Sequence, residues 1–477
     1  MNARIRPSMT TRDVQTLRIM PSLSTVRCVV ILAFLAVASV KAEFVKEPYL
    51  QSMTDSSVVV CWQTAMPQPG KVIYGLTTGY GQVTEHLDST SSHELLLTEL
   101  ISDTLYHFRA ISGSDSSADL TFHTPVTPAG RFRFIVYGDN RTDSAAHQSV
   151  VDRMMLTTPA PRLLVNVGDL TEDGTSVQYQ TFFNIERYLL SRMPLFPAMG
   201  NHDARNLANW FSLFALPGNE RWYSFRYGNS AFHCVDTESD FAPASEQYEW
   251  LLAELRSDSA DSSIRYVFVY LHKPPYTTNR AHLPDIEVQQ YLCPLFERYG
   301  VAAVFAGHVH AYEHSYVNGV HYVITGGGGA PLHMNWNPPD SWTVYREATY
   351  QFTVVDVERD SVVVHSVRPD GSEFDRFVVL SSGPVQEGPD SRLSSWARAG
   401  VNPFRGAAKV CLELSRPGRV SLTVLDPAGR QVGSRLEEFL TAGRHELVWQ
   451  PPAGARGPLF GVLATPQGQR VLRFLRF

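Results

Sequence analysis

Ala306-Gly307-His308-Val309-His310 follows the apolar run Val301 to Phe305 with two histidines at i and i+2. On an extended segment these positions share a face, so both imidazoles can converge on one point. Neutral imidazole is the commonest protein metal ligand, and a bound ion gives such a pair its reason. Four other apolar runs end in the same kind of residue. FIVYGD ends in Asp139, LLVNVGD in Asp169, FPAMGNHD in Asn201-His202 before Asp203, and YVFVYLH in His272. Glycines at 138, 168, 200 and 307 permit the sharp turns that such strand ends need. Two carboxylates, an amide oxygen and three imidazoles form a mixed oxygen and nitrogen set that suits Fe, Zn or Mn rather than Ca or Mg. Asp169 could bridge two ions, and a pair of ions can activate water and clamp an in-line displacement at phosphorus.

The elements that must carry these residues lie between Arg131 and about Leu380. There, apolar runs alternate with amphipathic segments such as SVQYQTFFNIERYLL and EQYEWLLAELRS. That alternation signals parallel strands with crossover helices. In open α/β sheets the ligand site lies outside the carboxyl ends of the strands, where the polar residues fall. The expectation is an α/β domain over residues 130–380, two sheets flanked by helices, between two all-β sandwich domains. Residues 43–126 read as short alternating strands (SSVVVCWQT, GKVIYGL, HELLLTEL, TLYHFRAIS), with Trp62 in the core and Tyr106 at a corner. Residues 381–398 read as a Ser-, Gly- and Pro-rich linker, and 399–477 as a second small β-sandwich.

Composition narrows the function classes. A formal charge of −6 over 477 residues offers no basic footprint for nucleic acid. Arg27 precedes the apolar run Cys28 to Val40, and Val40-Lys41-Ala42 offers small residues for cleavage. The reading is a signal peptide over residues 1–42, with Met20 as a possible start, and a secreted or cell-surface protein. The run is too short for a spanning helix, which needs about 20 residues. The cysteines lack zinc-like spacing and read as buried free thiols.

GDN, GDL, GNHD, LHKPPY and GHVHAYEH, in this order, resemble the calcineurin-like metallophosphoesterase family. The segments EPYLQSMTDSSVVVCWQT, YSFRYGN, QYEWLLAEL and AVFAGHVHAYEHS resemble its purple acid phosphatase-like branch, in which a fibronectin type III-like domain precedes the catalytic one. The resemblance implies a two-sheet αββα sandwich and a dinuclear metal centre hydrolysing phosphoric esters. Asp139 and His310 would hold the first ion, Asn201, His272 and His308 the second, with Asp169 bridging. His202 would contact phosphate or protonate the leaving group, and His282 would add a substrate contact. Two positions depart from the pattern. Arg141 stands where most of the family has a ligating histidine, and Glu172 where the purple enzymes have a tyrosine. A guanidinium stays protonated and cannot ligate, so Arg141 reads as a grip on a phosphate oxygen and Glu172 as a substitute ligand. Residues 402–404 (NPF), 425–430 (LDPAGR) and 441–450 (TAGRHELVWQ) resemble the immunoglobulin-like C-terminal sorting domains of exported bacterial proteins, which implies secretion machinery or the cell surface as a partner.

The expected function is a secreted metal-dependent hydrolase of small phosphate esters. The alternatives are a nucleotide or cyclic-nucleotide phosphodiesterase of the same fold, and a surface binding protein with a decayed site.

Overall fold

Alternating apolar residues after Glu43 give six antiparallel strands: β1 (Phe44–Gln51), β2 (Val58–Gly75), β3 (Gln82–Leu97), β4 (Leu105–Ser112), β5 (Asp115–Ser116) and β6 (Leu120–His123). The structure, a computed structural model, describes residues 44–380, 397–399, 406–414, 417–426, 430–452, 454–455, 457–465 and 468–476. The expected signal peptide and nearly all of the expected linker therefore lie outside the described residues. SSVVVCWQT and GKVIYGL, read as two strands, are one 18-residue strand. Its register against β3 shifts between Gln63 and Gly70, and bulges there bend a ribbon without ending it. The first half of β2 therefore pairs with β1 and the second half with β4.

Tyr106 is buried, and its Oη accepts the Ile101 N–H at 2.9 Å. Tyr106→Phe removes that hydrogen bond, which should cost about 0.5–1.5 kcal/mol. Denaturant unfolding should show the loss, and an unchanged midpoint would refute the tie.

The central region builds two sheets. In the first, β7 (Phe132–Tyr137), β8 (Leu163–Asn166) and β9 (Leu195–Pro197) run parallel. They are joined through α1 (Ser144–Met155) and α2 (Ser176–Leu190). Asp143 caps α1 by accepting from Ala145 N and Ala146 N, while Thr175 and Gln178 form a capping box on α2. After α3 (Leu207–Leu213), the second sheet takes β10 (Tyr223–Tyr227) and β11 (Ser230–Cys234). Helix α4 (Glu246–Ala260) leads to β12 (Tyr266–Tyr270), and α5 (Cys293–Arg298) to β13 (Ala303–Ala306). The hairpin β14 (Tyr312–Val317) and β15 (Val320–Thr325) and the edge strand β16 (Thr343–Glu347) complete it, in the order β10-β11-β12-β13-β15-β14-β16. The chain then returns to the first sheet as β17 (Phe352–Val357), β18 (Ser361–Val367) and β19 (Glu373–Leu380), giving β19-β18-β17-β7-β8-β9.

Phe134 of β7 meets Phe232, Phe268 and Phe305 of the other sheet edge-on, with ring centroids 5.1–6.3 Å apart. This aromatic layer fixes the two sheets face to face and brings the carboxyl ends of β7, β8, β9, β12 and β13 together. Strand β1 is tied to the central region near α3. Tyr49 Oη donates to Leu213 O at 2.7 Å, at the last residue of α3, and Gln51 Oε1 accepts from Ala215 N at 2.6 Å, just past it.

Residues 397–476 contribute only strands among the described residues, around a core that includes Val410, Leu422, Leu447, Trp449 and Phe474. Cys61, Cys234 and Cys293 are buried free thiols and Cys411 is half-buried. Among the described residues no helix is long and apolar enough to cross a membrane.

Candidate metal centre

Strand β7 ends in Gly138-Asp139 and β8 runs into Gly168-Asp169. Asp139 N donates to Gly168 O at 2.9 Å and Asn140 N to Asp169 O at 3.1 Å, so the two turns are knitted together. Asp139, Asp169 and His308 all sit in the left-handed region, at φ +55, +56 and +69. Non-glycine residues rarely adopt it, and such strain clusters where geometry serves function. Gly200 is required by proximity: a Cβ there would lie 2.1 Å from Asp169 Oδ1.

His272, at the end of β12, is fully buried and its Nδ1 donates to Val167 O at 2.8 Å. Its Nε2 therefore carries a lone pair. That lone pair faces Asn201 Oδ1 at 3.1 Å and Asp169 Oδ1 at 3.4 Å, and His308 Nδ1 lies 3.3 Å away. Three of these groups, His272 Nε2, Asn201 Oδ1 and Asp169 Oδ1, face one another as acceptors, and a cation between them would satisfy all three. Two ligands bound to one ion at 2.0–2.1 Å are about 3.3 Å apart when tetrahedral, which these contacts match. The residues at this half of the site therefore fit a metal ion.

The other half is built from Asp139, Asp169 and His310, whose ligand atoms lie within 4.8 Å of one another. His310 Nδ1 donates to Pro331 O at 2.8 Å, which leaves the Nε2 lone pair facing Asp139 Oδ1 at 3.7 Å. Here the guanidinium of Arg141 enters. Its Nε donates to Asp169 Oδ2 at 3.2 Å and its Nη2 to His310 Nε2 at 3.2 Å, while Nη1 pairs with Glu172. The Glu172 carboxylate, a third exposed, is thus held by Arg141 and by Thr142 Oγ1. The donors present at this half do not accommodate an ion and the guanidinium together.

His202 N donates to Asp169 Oδ1 at 3.0 Å, and its ring Nδ1 to Glu172 O at 2.6 Å. The remaining nitrogen, Nε2, stands 3.8 Å from Asp169 Oδ2. His282 is carried in by the loop after β12, and its ring centroid is 3.8 Å from that of His308. The structure thus gathers Asp139, Arg141, Asp169, Asn201, His202, His272, His282, His308 and His310 at one place, with Glu172 at the edge.

Two residues that sequence reasoning missed belong here. His333 stacks on His310 with centroids 4.0 Å apart and accepts the His310 N–H at Nδ1. No sequence signal marks it. Asp203 accepts from Gly200 N, Leu170 N and Thr171 N, and so clamps the GNHD turn to the end of β8. Its place inside GNHD was the available signal. Burial and the neighbouring Asp169 charge push the Asp203 carboxyl up to about 7.

Tyr276, Tyr312 and His314, close in sequence to the ligand turns, serve elsewhere. Tyr276 packs on Tyr322 and Trp342, and both Tyr312 and His314 bond to Asp375. Gly326 to Gly329 is buried against the Asp139 turn, where Gly328 N donates to Gly138 O at 2.9 Å.

Burial, reinforced by His272, holds His308 well below the usual histidine range. Burial with His333 lowers His310 to about 3, and burial with His282 lowers His333 to about 4. His308, His310 and His333 are thus neutral near pH 7. A histidine whose folded pKa is depressed favours folding above its unfolded value of about 6.5 and loses that stability as pH falls below it, by up to about 1.4 kcal/mol per unit. Metal-free protein should therefore lose Tm steeply between pH 6.5 and 4.5, and added Zn(II) should flatten the loss. A Tm indifferent to pH in that window would contradict the neutral set.

Residues 132–312 match the calcineurin-like phosphoesterase family. The match makes residues 132–312 a calcineurin-like phosphoesterase domain. Among curated relatives, phosphoenolpyruvate phosphatase of Allium cepa is 27% identical over 315 residues, covering 58% of this chain and 64% of its own. The chain thus spans a little under two thirds of that relative's length. Probable purple acid phosphatase 20 of Arabidopsis thaliana is 26% identical over 379 residues, covering 66% of this chain and 86% of its own. Among solved structures, the purple acid phosphatase PPD1 from yellow lupin (Lupinus luteus) seeds superposes with a TM-score of 0.61 at 18% identity, over 70% of this chain and 74% of that one. At that identity the likeness is one of fold. In this phosphoesterase domain the turns bearing Asp139, Asp169, Asn201, His272 and His308 all lie inside the matched stretch.

Proposed function

We propose that this chain hydrolyses small phosphate esters with the help of bound metal. The observation that carries the reading is the convergence of Asn201, Asp169 and His308 on His272 Nε2, at 3.1–3.4 Å, inside the stretch that matches the phosphoesterase family. Asn201, His272, His308 and Asp169 would hold an ion of the Fe, Zn or Mn type, which supplies positive charge to activate water and stabilise the phosphoryl group. The family resemblance implies a second ion on the side of Asp139 and His310. In the reaction a water oxygen bonds to phosphorus as the ester oxygen leaves, and His202 gives the leaving oxygen its proton. His282, packed on His308, and His333, stacked on His310, would help to hold the phosphoryl group.

The reading extends to the flanks. Residues 43–126 are proposed as a fibronectin type III-like domain, supported by the Tyr106 corner bond and the buried Trp62. Residues 399–477 are proposed as an immunoglobulin-like sorting or anchoring domain of an exported protein, supported by the NPF, LDPAGR and TAGRHELVWQ segments. Export through the N-terminal segment, toward secretion machinery or the cell surface, belongs to the same proposal.

The test is turnover. Purified protein supplied with Mn(II), Zn(II) or Fe should release phosphate from a panel of monoesters, diesters and nucleotides, and chelation should stop it. Preference for diesters or nucleotides would favour the phosphodiesterase reading. No release from any ester with any metal would favour a decayed binding site.

A further inference from the structure

From the geometry we infer that the Arg141 guanidinium takes the place of one metal ion, so that the centre binds a single ion per chain, on the Asn201, His272 and His308 side. This rests on the metal-dependent reading above and concerns the number of ions, not the reaction.

The decisive atom is His310 Nε2. Its ring gives Nδ1–H to Pro331 O, so Nε2 holds the one lone pair the ring can offer an ion. Arg141 Nη2 donates to that nitrogen at 3.2 Å. One lone pair cannot serve a hydrogen bond and a coordination bond together. Asp169 is divided in the same way. Its Oδ2 accepts from Arg141 Nε at 3.2 Å, while Oδ1 lies 3.4 Å from His272 Nε2. The bridging carboxylate thus turns one oxygen to the guanidinium and the other to the opposite half-site.

The remaining groups do not rebuild the first site. Glu172 pairs with Arg141 and Thr142. Asp139 is fully buried and takes the His308 N–H at 2.9 Å on Oδ2 and 3.1 Å on Oδ1. Its main service is to hold the His308 turn. An ion seated among Asp139, Asp169 and His310 would also stand against a permanent positive charge, because a guanidinium does not give up its proton. Arg141 is held by three separate partners and its side chain is only 14% exposed, so a large rearrangement would be needed to vacate the site. The chain thus keeps two positive centres on either side of Asp169, one bound and one built in.

The experiment counts ions. The full chain, stripped with chelator, is reloaded with Mn(II) alone, desalted and assayed for manganese per chain, with EPR to separate isolated from exchange-coupled Mn(II). One ion per chain with an isolated Mn(II) signal is expected. Arg141→His, which replaces the cation with an imidazole, should raise the count to two and bring in exchange coupling. Arg141→Ala is the second variant, and it should also take up more than one ion. Two ions in the wild type overturn the inference and leave the hydrolase reading standing. A count of one in the wild type that stays at one in both folded variants overturns the displacement by Arg141. No ion in any form overturns the inference together with the metal-dependent reading, which the ester panel tests separately.

Discussion

Asp169→Asn is expected to lower phosphate-ester turnover by roughly a thousandfold or more while the protein stays folded. The Asp169 side chain is essentially buried, and each carboxylate oxygen already has work. Oδ1 takes the His202 N–H and faces His272, and Oδ2 takes the Arg141 guanidinium. An amide of the same shape removes the negative charge shared by the ion site and Arg141. It must also turn an NH2 toward either the His202 amide or the Arg141 Nε, donor against donor. Stability should move the other way. Burial first, and then Asp169, raise the Asp139 carboxyl well above the usual range, so the two acids repel across the site. Removing one charge relieves that repulsion in metal-free protein. Steady-state kinetics with added metal, alongside thermal unfolding, should therefore show lost activity with an equal or higher Tm. Activity within tenfold of wild type would remove Asp169 from the centre.

Much of the centre was legible because its residues announce themselves at strand ends. An apolar run followed by Gly-Asp or Gly-His marks both the place and the chemistry, and strand order then decides which ends meet. The aromatic layer that aligns the sheets, Phe134 against Phe232, Phe268 and Phe305, follows from the same runs. What could not be read depends on contacts between segments far apart in sequence. His333 lies in a loop without periodicity, and only its stacking on His310 brings it to the site. The GGGG run, Gly326 to Gly329, carries no sequence signal of burial. It is packed so closely that a Cβ at Gly326 would lie 2.7 Å from Asp139 Oδ2, and one at Gly328 would lie 2.3 Å from Gly138 O. Tyr312 and His314 follow the HVH ligands closely, yet β14 carries them away to Asp375. Arg141 was visible as a departure from pattern, but its target was not. Sequence spacing gave no reason to aim it at His310 rather than at substrate.

His202→Ala should show which atom needs a proton. The ring is oriented by Nδ1 donating to Glu172 O, so Nε2 is the nitrogen presented beside Asp169, at 3.8 Å from Oδ2. A group placed this way beside the metal side chains, and not among them, suits proton delivery to the departing oxygen. General acid catalysis typically contributes about a hundred- to ten-thousandfold, and the benefit grows with the basicity of the leaving oxygen. An alkyl phosphate, whose alkoxide is a poor leaving group, should lose roughly a hundredfold or more in kcat. p-Nitrophenyl phosphate departs as a stable phenolate and should lose far less. The ratio between the two substrates is therefore the readout, and it is insensitive to partial unfolding or incomplete metal loading, which lower both rates together. Equal losses on both substrates would mean that His202 grips the phosphoryl group instead of protonating the leaving oxygen. The proton would then have to come from water or from one of the neighbouring histidines, His282 or His333.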